Sequence, residues 1–203
     1  MKKAVLMLFV LILVTNAYAD RFPGPYPYVA VSQTGQYYFK MIPPIFGEGV
    51  INESRRNGWG VAYRLNPDGS SDELWGTEGW YSNDVYISED ACHLVRLERL
   101  IQIGNKMKGD LAIAFYENGR LLCQYTVADL VKDHTKIVET VSFYRWIASD
   151  VQDLTKILTS ERGDSKVSRP TLHLNNMFSL VTCDGILYIF DVANGKIKSQ
   201  KVL

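Results

Sequence analysis

Short runs of alternating apolar and polar residues, separated by tight-turn dipeptides, dominate the chain from residue 29 onward. Asp68-Gly69, Asn118-Gly119, Asp184-Gly185 and Asn194-Gly195 are dipeptides of the kind that closes a β-hairpin. The runs beside them are rich in aromatic and β-branched residues, which strands favour. The pattern predicts an all-β fold built from antiparallel hairpins.

One hairpin pattern recurs at a spacing of 56 residues. The run from Val29 to Met41 matches the run from Val85 to Leu97 in its serine, its turn, its aromatic or histidine position and its basic residue. A weaker third copy extends from Phe178 to Phe190, and each copy has a second hairpin nearby. We therefore expect about three units of four short strands in a single β-rich domain over residues 29–203.

Two segments depart from the strand pattern. Ile147, Val151, Leu154 and Leu158 recur at helical spacing and predict a short helix near residues 147–158. The run from Thr126 to Asp129 resembles a capping box, which predicts a helical turn over residues 127–132. Neither segment is long enough to change the all-β prediction.

The first 19 residues have the three parts of a secretory signal peptide. Lys2 and Lys3 precede an apolar run from Val5 to Val14, and Ala17-Tyr18-Ala19 is a cleavage sequence. We predict cleavage after Ala19 and a secreted or periplasmic location. The apolar run is shorter than the roughly 20 residues that a bilayer requires, so no stable membrane span is expected after cleavage. An uncleaved anchor is the alternative.

Residues 20–28 contain three prolines and a glycine and predict a stiff proline-rich segment that is irregular or lies along a sheet edge. The full chain has 22 basic and 22 acidic residues among its 203. Loss of Lys2 and Lys3 with the signal peptide leaves 20 basic against 22 acidic residues. This balance gives no case for a nucleic-acid partner, and a 47% hydrophobic fraction argues against wholesale disorder.

The chain has three cysteines and three histidines: Cys92, Cys123, Cys183, His93, His134 and His173. In an exported protein any two of the cysteines could form a disulfide, or all three could be buried thiols. None of these residues has the paired spacing of a zinc site, so we predict no metal and no cofactor.

Two hairpins, Phe115–Leu122 and Phe190–Lys196, resemble the blade hairpins of β-propeller repeat proteins, as do the Ser-x-x-Gly-x-Tyr turns. Over residues 29–197 the chain also resembles small exported bacterial proteins of unassigned function. The resemblance implies propeller-like blades. Closed propellers usually have four to eight blades. Three units therefore imply an open or partial propeller, a sandwich-like arrangement, or chains that associate to complete a larger one.

Aromatic side chains cluster among glycines in the first half of the chain: Trp59, Trp75, Trp80 and Tyr81, followed by Asp84. Aromatic rings beside polar loop residues can form a binding surface for sugars or peptides. The alternative is that each tryptophan packs between sheets. We take these five residues as the candidate ligand-binding site.

These observations predict an exported, non-enzymatic binding module that recognises a protein or a carbohydrate-like ligand through loops near residues 45–60 and 76–84. A secreted hydrolase is one alternative, with a site built from a histidine or from loop carboxylates. The candidate carboxylates are Glu48, Glu53, Asp72 and Glu73. A structural envelope component that assembles through its sheet edges is the other alternative, and a homo-oligomer is compatible with all three.

Overall fold

The computed structural model describes residues 24–46, 54–102, 109–149 and 169–203. Within these ranges the chain forms three four-stranded antiparallel sheets, which we call blades A, B and C in chain order. The all-β fold with three blade-like units is therefore confirmed. No helix in the described ranges is both long and apolar enough to cross a membrane.

Blade A is formed by the first part of the chain. Its strands, in their spatial order, are β1 (Tyr28–Val31), β2 (Tyr37–Ile42), β5 (Trp59–Leu65) and β6 (Ser71–Glu78). A small hairpin of β3 (Ile45–Phe46) and β4 (Ser54–Arg56) is inserted between the second and third strands. The alternation along β2 buries Phe39 and Met41 completely on one face and directs Tyr38 and Lys40 to the other face.

Blade B repeats this arrangement. Its strands, in spatial order, are β7 (Val85–Ile87), β8 (His93–Leu97), β10 (Leu111–Glu117) and β11 (Arg120–Thr126). The helix α1 (Val127–Leu130) follows directly. The predicted capping box is present, since the Thr126 hydroxyl accepts from the Asp129 N–H at 3.3 Å and the Asp129 carboxylate accepts from the Thr126 N–H at 2.7 Å. The helix ends at Leu130 because Val131 has extended backbone angles.

Blade C is formed by the end of the chain. Its strands, in spatial order, are β14 (Thr171–Leu172), β15 (Met177–Val181), β16 (Ile186–Asp191) and β17 (Lys196–Val202). The third sequence copy, Phe178–Phe190, lies on the second and third strands of this blade, whereas the first two copies lie on first and second strands. The sequence alignment therefore placed the third copy one strand too late in the blade. The cause is that the Thr182 hydroxyl accepts a backbone N–H at its turn, as the Ser32 hydroxyl does in the first hairpin of blade A.

A three-stranded sheet lies beside blades B and C and is formed by β12 (Val138–Glu139), β13 (Phe143–Arg145) and β9 (Leu100–Gln102). A 3₁₀ turn, His134–Lys136, precedes it. The indole of Trp146, fully buried after β13, donates to the Glu98 carbonyl at 2.8 Å. Most of the helix predicted near 147–158 lies outside the described residues, as do the predicted signal peptide, Glu48 and Glu53.

A recurring backbone hydrogen bond defines the equivalent positions of the three blades. The donor and acceptor residues are Leu65 and Gln36 in blade A, Asn118 and Cys92 in blade B, and Val192 and Asn176 in blade C. Counting along the paired strands from this bond, Val31, Ile87 and Leu172 occupy one position on the first strand. The corresponding positions of the second strand are occupied by Tyr38, Leu94 and Phe178, and those of the third strand by Tyr63, Tyr116 and Phe190.

Blade B is covered on both faces. Its contacts with blade A involve Phe39, Met41 and Ala62 on one side and Val85, Ile87, Ala91, Leu94, Ala114 and Tyr116 on the other. The opposite face packs on blade C, where Phe115 lies 5.2 Å from Phe190 and Tyr86 lies 5.0 Å from Phe178, measured between ring centroids. Blades A and C pack mainly on opposite faces of blade B. They also touch each other, because the side-chain amide of Gln33 in the first turn of blade A donates to the Leu172 carbonyl of blade C.

The outer hairpin turn of each later blade rests on the blade before it. A Cβ placed on Gly119 would lie 2.3 Å from the Gly76 carbonyl, and a Cβ placed on Gly195 would lie 2.6 Å from the Cys123 Cβ. Both glycines have positive φ angles, of 82° and 70°, which glycine adopts without steric cost. The equivalent glycine of blade A, Gly69, has a φ of 84° and has no described atom within 4 Å of such a Cβ.

Asp184 joins blade C to the segment that follows α1. Its carboxylate accepts the backbone N–H of Lys132 at 2.7 Å, that of Asp133 at 3.0 Å, and the Thr182 hydroxyl at 2.5 Å. Burial acts to raise the pKa of Asp184, but these hydrogen bonds outweigh it and hold the pKa below the usual 3.8.

We expect Asp184→Asn to lower the free energy of unfolding at pH 7 by about 1–3 kcal/mol, because charge-assisted hydrogen bonds are lost. A carboxyl whose folded pKa is depressed stabilises the fold above its unfolded pKa, and this contribution is lost as the pH falls through the folded pKa. Urea unfolding at pH 7 and at acid pH measures both effects. The difference between wild type and variant should shrink below pH 3.8; a difference independent of pH would contradict the assignment.

Candidate interaction surface

Two of the three clustered tryptophans pack between blades A and B. The Trp75 indole donates to the Ala91 carbonyl at 2.7 Å, and its ring lies 5.6 Å from that of Phe39. Trp80 stacks at 5.3 Å on Tyr116, with the Arg96 guanidinium 4.7 Å from its ring. Both indoles are only half-buried, but their ring faces and N–H groups are engaged within the protein.

Tyr81 and Asp84 belong to a polar network at one end of the same junction. The Tyr81 hydroxyl donates to the Tyr26 carbonyl at 2.9 Å and so fastens the proline-rich segment. Asp84 forms an ion pair with Arg99 at 3.3 Å. Burial first, and then the charge of Asp84, raises the pKa of Tyr28, whose hydroxyl donates to the Ser82 carbonyl at 2.8 Å. These residues connect segments of the fold to one another.

Trp59 differs from the other tryptophans in its position. It lies opposite Ile42 and Glu78 in the strand register, on the face of blade A that points away from blade B. Two open depressions adjoin it, of about 330 and 270 Å³, the first lined also by Asn57 and Gly79 and the second also by Val61 and Thr77. The structure therefore separates Trp59 from Trp75, Trp80, Tyr81 and Asp84.

The face that carries Trp59 is largely apolar and partly exposed; Val61, which the register places on the same face, is only 6% exposed. We call it the blade A outer face and define it by Val29, Val31, Tyr38, Lys40, Ile42, Trp59 and Tyr63. Val31 is 58% exposed, whereas Ile87 and Leu172 at the equivalent position are 3% and 8% exposed. Tyr38 and Tyr63 stack on each other at 5.1 Å with an interplanar angle of 17°. This face keeps the side chains of an inter-blade core without a covering blade from the described residues.

The sequence prediction did not include Val29, Val31, Tyr38 or Tyr63. The signal that could have identified them was present, because the repeat aligns Val29 with Val85 and Tyr38 with Leu94. In a row of three blades, the outer face of the first blade exposes side-chain positions that are buried between blades elsewhere in the row. The number of blades and the repeat together, and not the tryptophan spacing, locate this surface.

A histidine and a serine meet on blade C. The Nε2 atom of His173 lies 2.9 Å from the Ser179 hydroxyl, in an open depression of about 540 Å³. The described residues that line this depression are Gln33, His173, Leu174, Asn175, Met177, Ser179 and Ile189, none of which is a carboxylate. Asp72 and Glu73, predicted in a loop, lie on β6, where Asp72 pairs with Arg64 at 2.6 Å.

The cysteines and the other ionisable groups form no cofactor or metal centre among the described residues. In this structure Cys92, Cys123 and Cys183 are free, half-buried thiols on separate hairpins. Burial raises the pKa of the Cys183 thiol to about 12, which keeps it protonated. Within the described ranges no three His, Cys, Asp or Glu side chains are placed to hold a metal ion.

The strand order and blade packing define an open β structure of propeller type. No protein-family model and no curated protein matches the chain. Similar solved structures include a protein described as a 6-phosphogluconolactonase from Bacteroides fragilis, with 16% identity and a TM-score of 0.37 over 90% of this chain. The Dos1 propeller shares 13% identity with a TM-score of 0.36 over 88% of this chain, and a segment of HIRA shares 15% with a TM-score of 0.33 over 90%.

This chain spans only part of each of those structures, covering 41% of the Bacteroides fragilis protein, 36% of the Dos1 propeller and 56% of the HIRA segment. Identities and TM-scores this low say nothing about function.

Proposed function

We propose that this protein is a non-enzymatic protein-interaction module that docks a protein partner through the blade A outer face. The observation that carries the proposal is the 58% exposure of Val31 beside the 3% and 8% exposures of its equivalents Ile87 and Leu172. Complete burial of a valine or leucine side chain is worth about 1.5–3 kcal/mol. Val29 is 52% exposed, whereas its equivalent Val85 is 5% exposed. Burial of Val29 under a partner would therefore add to the binding free energy.

The shape of the face favours a protein over a small molecule. Small ligands occupy concave pockets that bury most of their surface. The depressions beside Trp59 are open to solvent, and the rest of the face is a sheet surface. Tyrosine and tryptophan are enriched at protein interfaces, where large rigid rings bury area at little cost in conformational entropy. The stacked Tyr38 and Tyr63 rings are side chains of this kind.

A carbohydrate-like ligand is supported less well. A sugar could stack on Trp59 beside the polar Asn57 and Glu78. Sugar platforms gain from several coplanar rings, however, and the Trp75 and Trp80 indoles are engaged between blades A and B. The hydrolase alternative has the contact between His173 and Ser179 in its favour. In the described lining that contact lacks the carboxylate that orients the base in a catalytic triad.

The N-terminal residues support a place for this interaction outside the cytoplasm. Lys2, Lys3, the apolar run and the sequence Ala17-Tyr18-Ala19 support export and a role outside the cytoplasm. We therefore propose that the partner is another exported or periplasmic protein.

Site-specific photo-crosslinking in the exporting cell tests the interaction. Val31 is replaced by p-benzoylphenylalanine, and Val141, which is 79% exposed outside the blade A outer face, is replaced in the control. We expect a light-dependent protein adduct from position 31 and none of the same mass from position 141. Adding Val29→Glu to the position-31 variant should abolish the adduct. The proposal is wrong if position 31 yields no adduct, or if the adduct persists with Val29→Glu.

A further inference from the structure

We propose that the partner of the blade A outer face is blade C of a second copy of this chain, so that two copies close a ring of six blades. This inference rests on the proposed function and names the partner of the same surface. The receiving surface is the blade C open face, defined by Ser179, Leu187, Ile189 and Ser199, which point away from blade B.

The first argument is a junction that already occurs twice within the chain. The Gly119 turn of blade B rests on Gly76 and Trp75 of blade A, and the Gly195 turn of blade C rests on Cys123 and Phe115 of blade B. Trp75 and Gly76 are consecutive residues on the fourth strand of blade A, whereas Cys123 and Phe115 are paired across the fourth and third strands of blade B.

The same junction has one unused half at each end of the array. On blade C, Ile189 and Ser199 occupy the positions of Phe115 and Cys123, and they are half-buried and exposed respectively. On blade A, Gly69 has the positive φ of Gly119 and Gly195 but no described atom beside it. The Gly69 turn of one copy could therefore rest on Ile189 and Ser199 of the other copy, as the Gly119 and Gly195 turns rest on the preceding blade within one chain.

The outer turn of blade A and the outer strand of blade C carry opposite charges, although Lys40 on the blade A outer face is basic. The outer strand β17 carries Lys196, Lys198 and Lys201, all exposed, and no acidic residue. The outer turn of blade A carries Asp68 and the neighbouring Glu73, both also exposed. Opposite charges across an interface favour the correct pairing and oppose the contact of two like faces. Two β17 strands facing each other would bring six lysines together, counting three from each copy.

In the proposed ring a two-fold axis relates the two copies. A two-fold axis places the blade A outer face of each copy on the blade C open face of the other, so both ends are satisfied and no further copy can be added. Three blades from each copy make six, which lies within the usual range of about four to eight for closed propellers.

The junction between copies is more polar than the two internal ones. Ser179 occupies the position of Phe39 and Val95, both of which are 0% exposed, and Ser199 occupies the position of Trp75 and Cys123. Interfaces of this composition are typical of exchanging rather than obligate complexes. We therefore expect a reversible dimer, whose dissociation constant is measurable by dilution.

Sedimentation velocity on the purified exported protein tests this inference with two variants and a control. Val31→Glu places a charge on the blade A outer face, Ile189→Glu places one on the blade C open face, and Val141→Glu places one elsewhere. We expect a dimer for wild type and for the control, and a dissociation constant raised about 100-fold or more for either face variant, because the new carboxylate must be desolvated. Circular dichroism checks folding, and Ser199→Glu replaces Ile189→Glu if that variant does not fold.

Mixing the two face variants gives the sharpest result. Each retains the face that the other has lost, so an equimolar mixture should form a heterodimer through one intact junction at concentrations where neither variant alone is dimeric. A dimer that survives Ile189→Glu and Ser199→Glu but not Val31→Glu would mean that two blade A faces meet, which overturns this inference and leaves the proposed function standing. A wild type that stays monomeric, or that forms an open series of larger species, also overturns the ring. An adduct from position 31 with a different protein would then still support the proposed function.

Discussion

Gly119→Ala should lower the free energy of unfolding by about 2–5 kcal/mol. A Cβ at a left-handed φ costs about 1–2 kcal/mol, and overpacking adds about 1–3 kcal/mol. The collision here is with the backbone carbonyl of Gly76, which cannot rotate away as a side chain could. Urea unfolding followed by far-ultraviolet circular dichroism measures the loss.

Gly69→Ala is the matched control for this substitution. Its φ of 84° is almost the same as the 82° of Gly119, but the space around its Cβ is open. At protein concentrations where the chain is monomeric, the control should cost only the conformational term of about 1–2 kcal/mol. Equal losses for the two variants would show that the blade B turn does not pack on blade A. A larger loss for Gly69→Ala in the dimer than in the monomer would indicate that this turn is used between copies.

Phe178→Ala should cost about 3–5 kcal/mol of unfolding free energy, the usual range for a buried phenylalanine. Phe178 is 0% exposed and lies 5.0 Å from the ring of Tyr86 between blades B and C. The truncation leaves a cavity between two sheets that meet through large rings and cannot collapse without moving a whole blade. The midpoint of thermal unfolding should fall with the denaturant midpoint.

Tyr38→Ala is the control at the equivalent position of blade A. Tyr38 is half-buried, with a stacked Tyr63 as its neighbour across the strand pair and no covering blade from the described residues. Its truncation in the monomer should therefore cost roughly 1 kcal/mol, the scale of a cross-strand pair. If Tyr38→Ala and Phe178→Ala were equally costly in a dilute sample, the blade A outer face would already be covered, and both proposals would lose their main support.

The turns and the helix cap were predictable because their causes are local. Gly69, Gly119, Gly185 and Gly195 all have φ between 70° and 84°, as the dipeptides required. The Thr126–Asp129 cap needs only four consecutive residues and their own backbone. The third repeat copy was misaligned for the same reason, since a Ser or Thr turn looks alike whichever pair of strands it joins.

The tryptophans show where local reasoning stops. Trp59 and Trp75 lie on adjacent strands but on opposite faces of blade A. A β-bulge between Ala62 and Tyr63 shifts the pairing, and a shift of one residue moves a strand's side chains to the other face. Spacing in the sequence therefore placed them in one cluster, whereas the register placed one on the surface and the other between blades.

The sequence by itself determined the alternation, the turns and the repeated blade-like hairpins, since these depend on residue type and on neighbours within a hairpin. Only the tertiary structure decided which apolar faces are covered. Val29 and Val85 are the same residue in the same strand position, yet one is 52% exposed and the other 5%. Blade A covers Val85 on blade B, whereas the described residues include no blade that covers Val29 on the outer side of blade A. Burial depends on a neighbour distant in the chain, and the candidate interaction surface is where that neighbour is missing from the described structure.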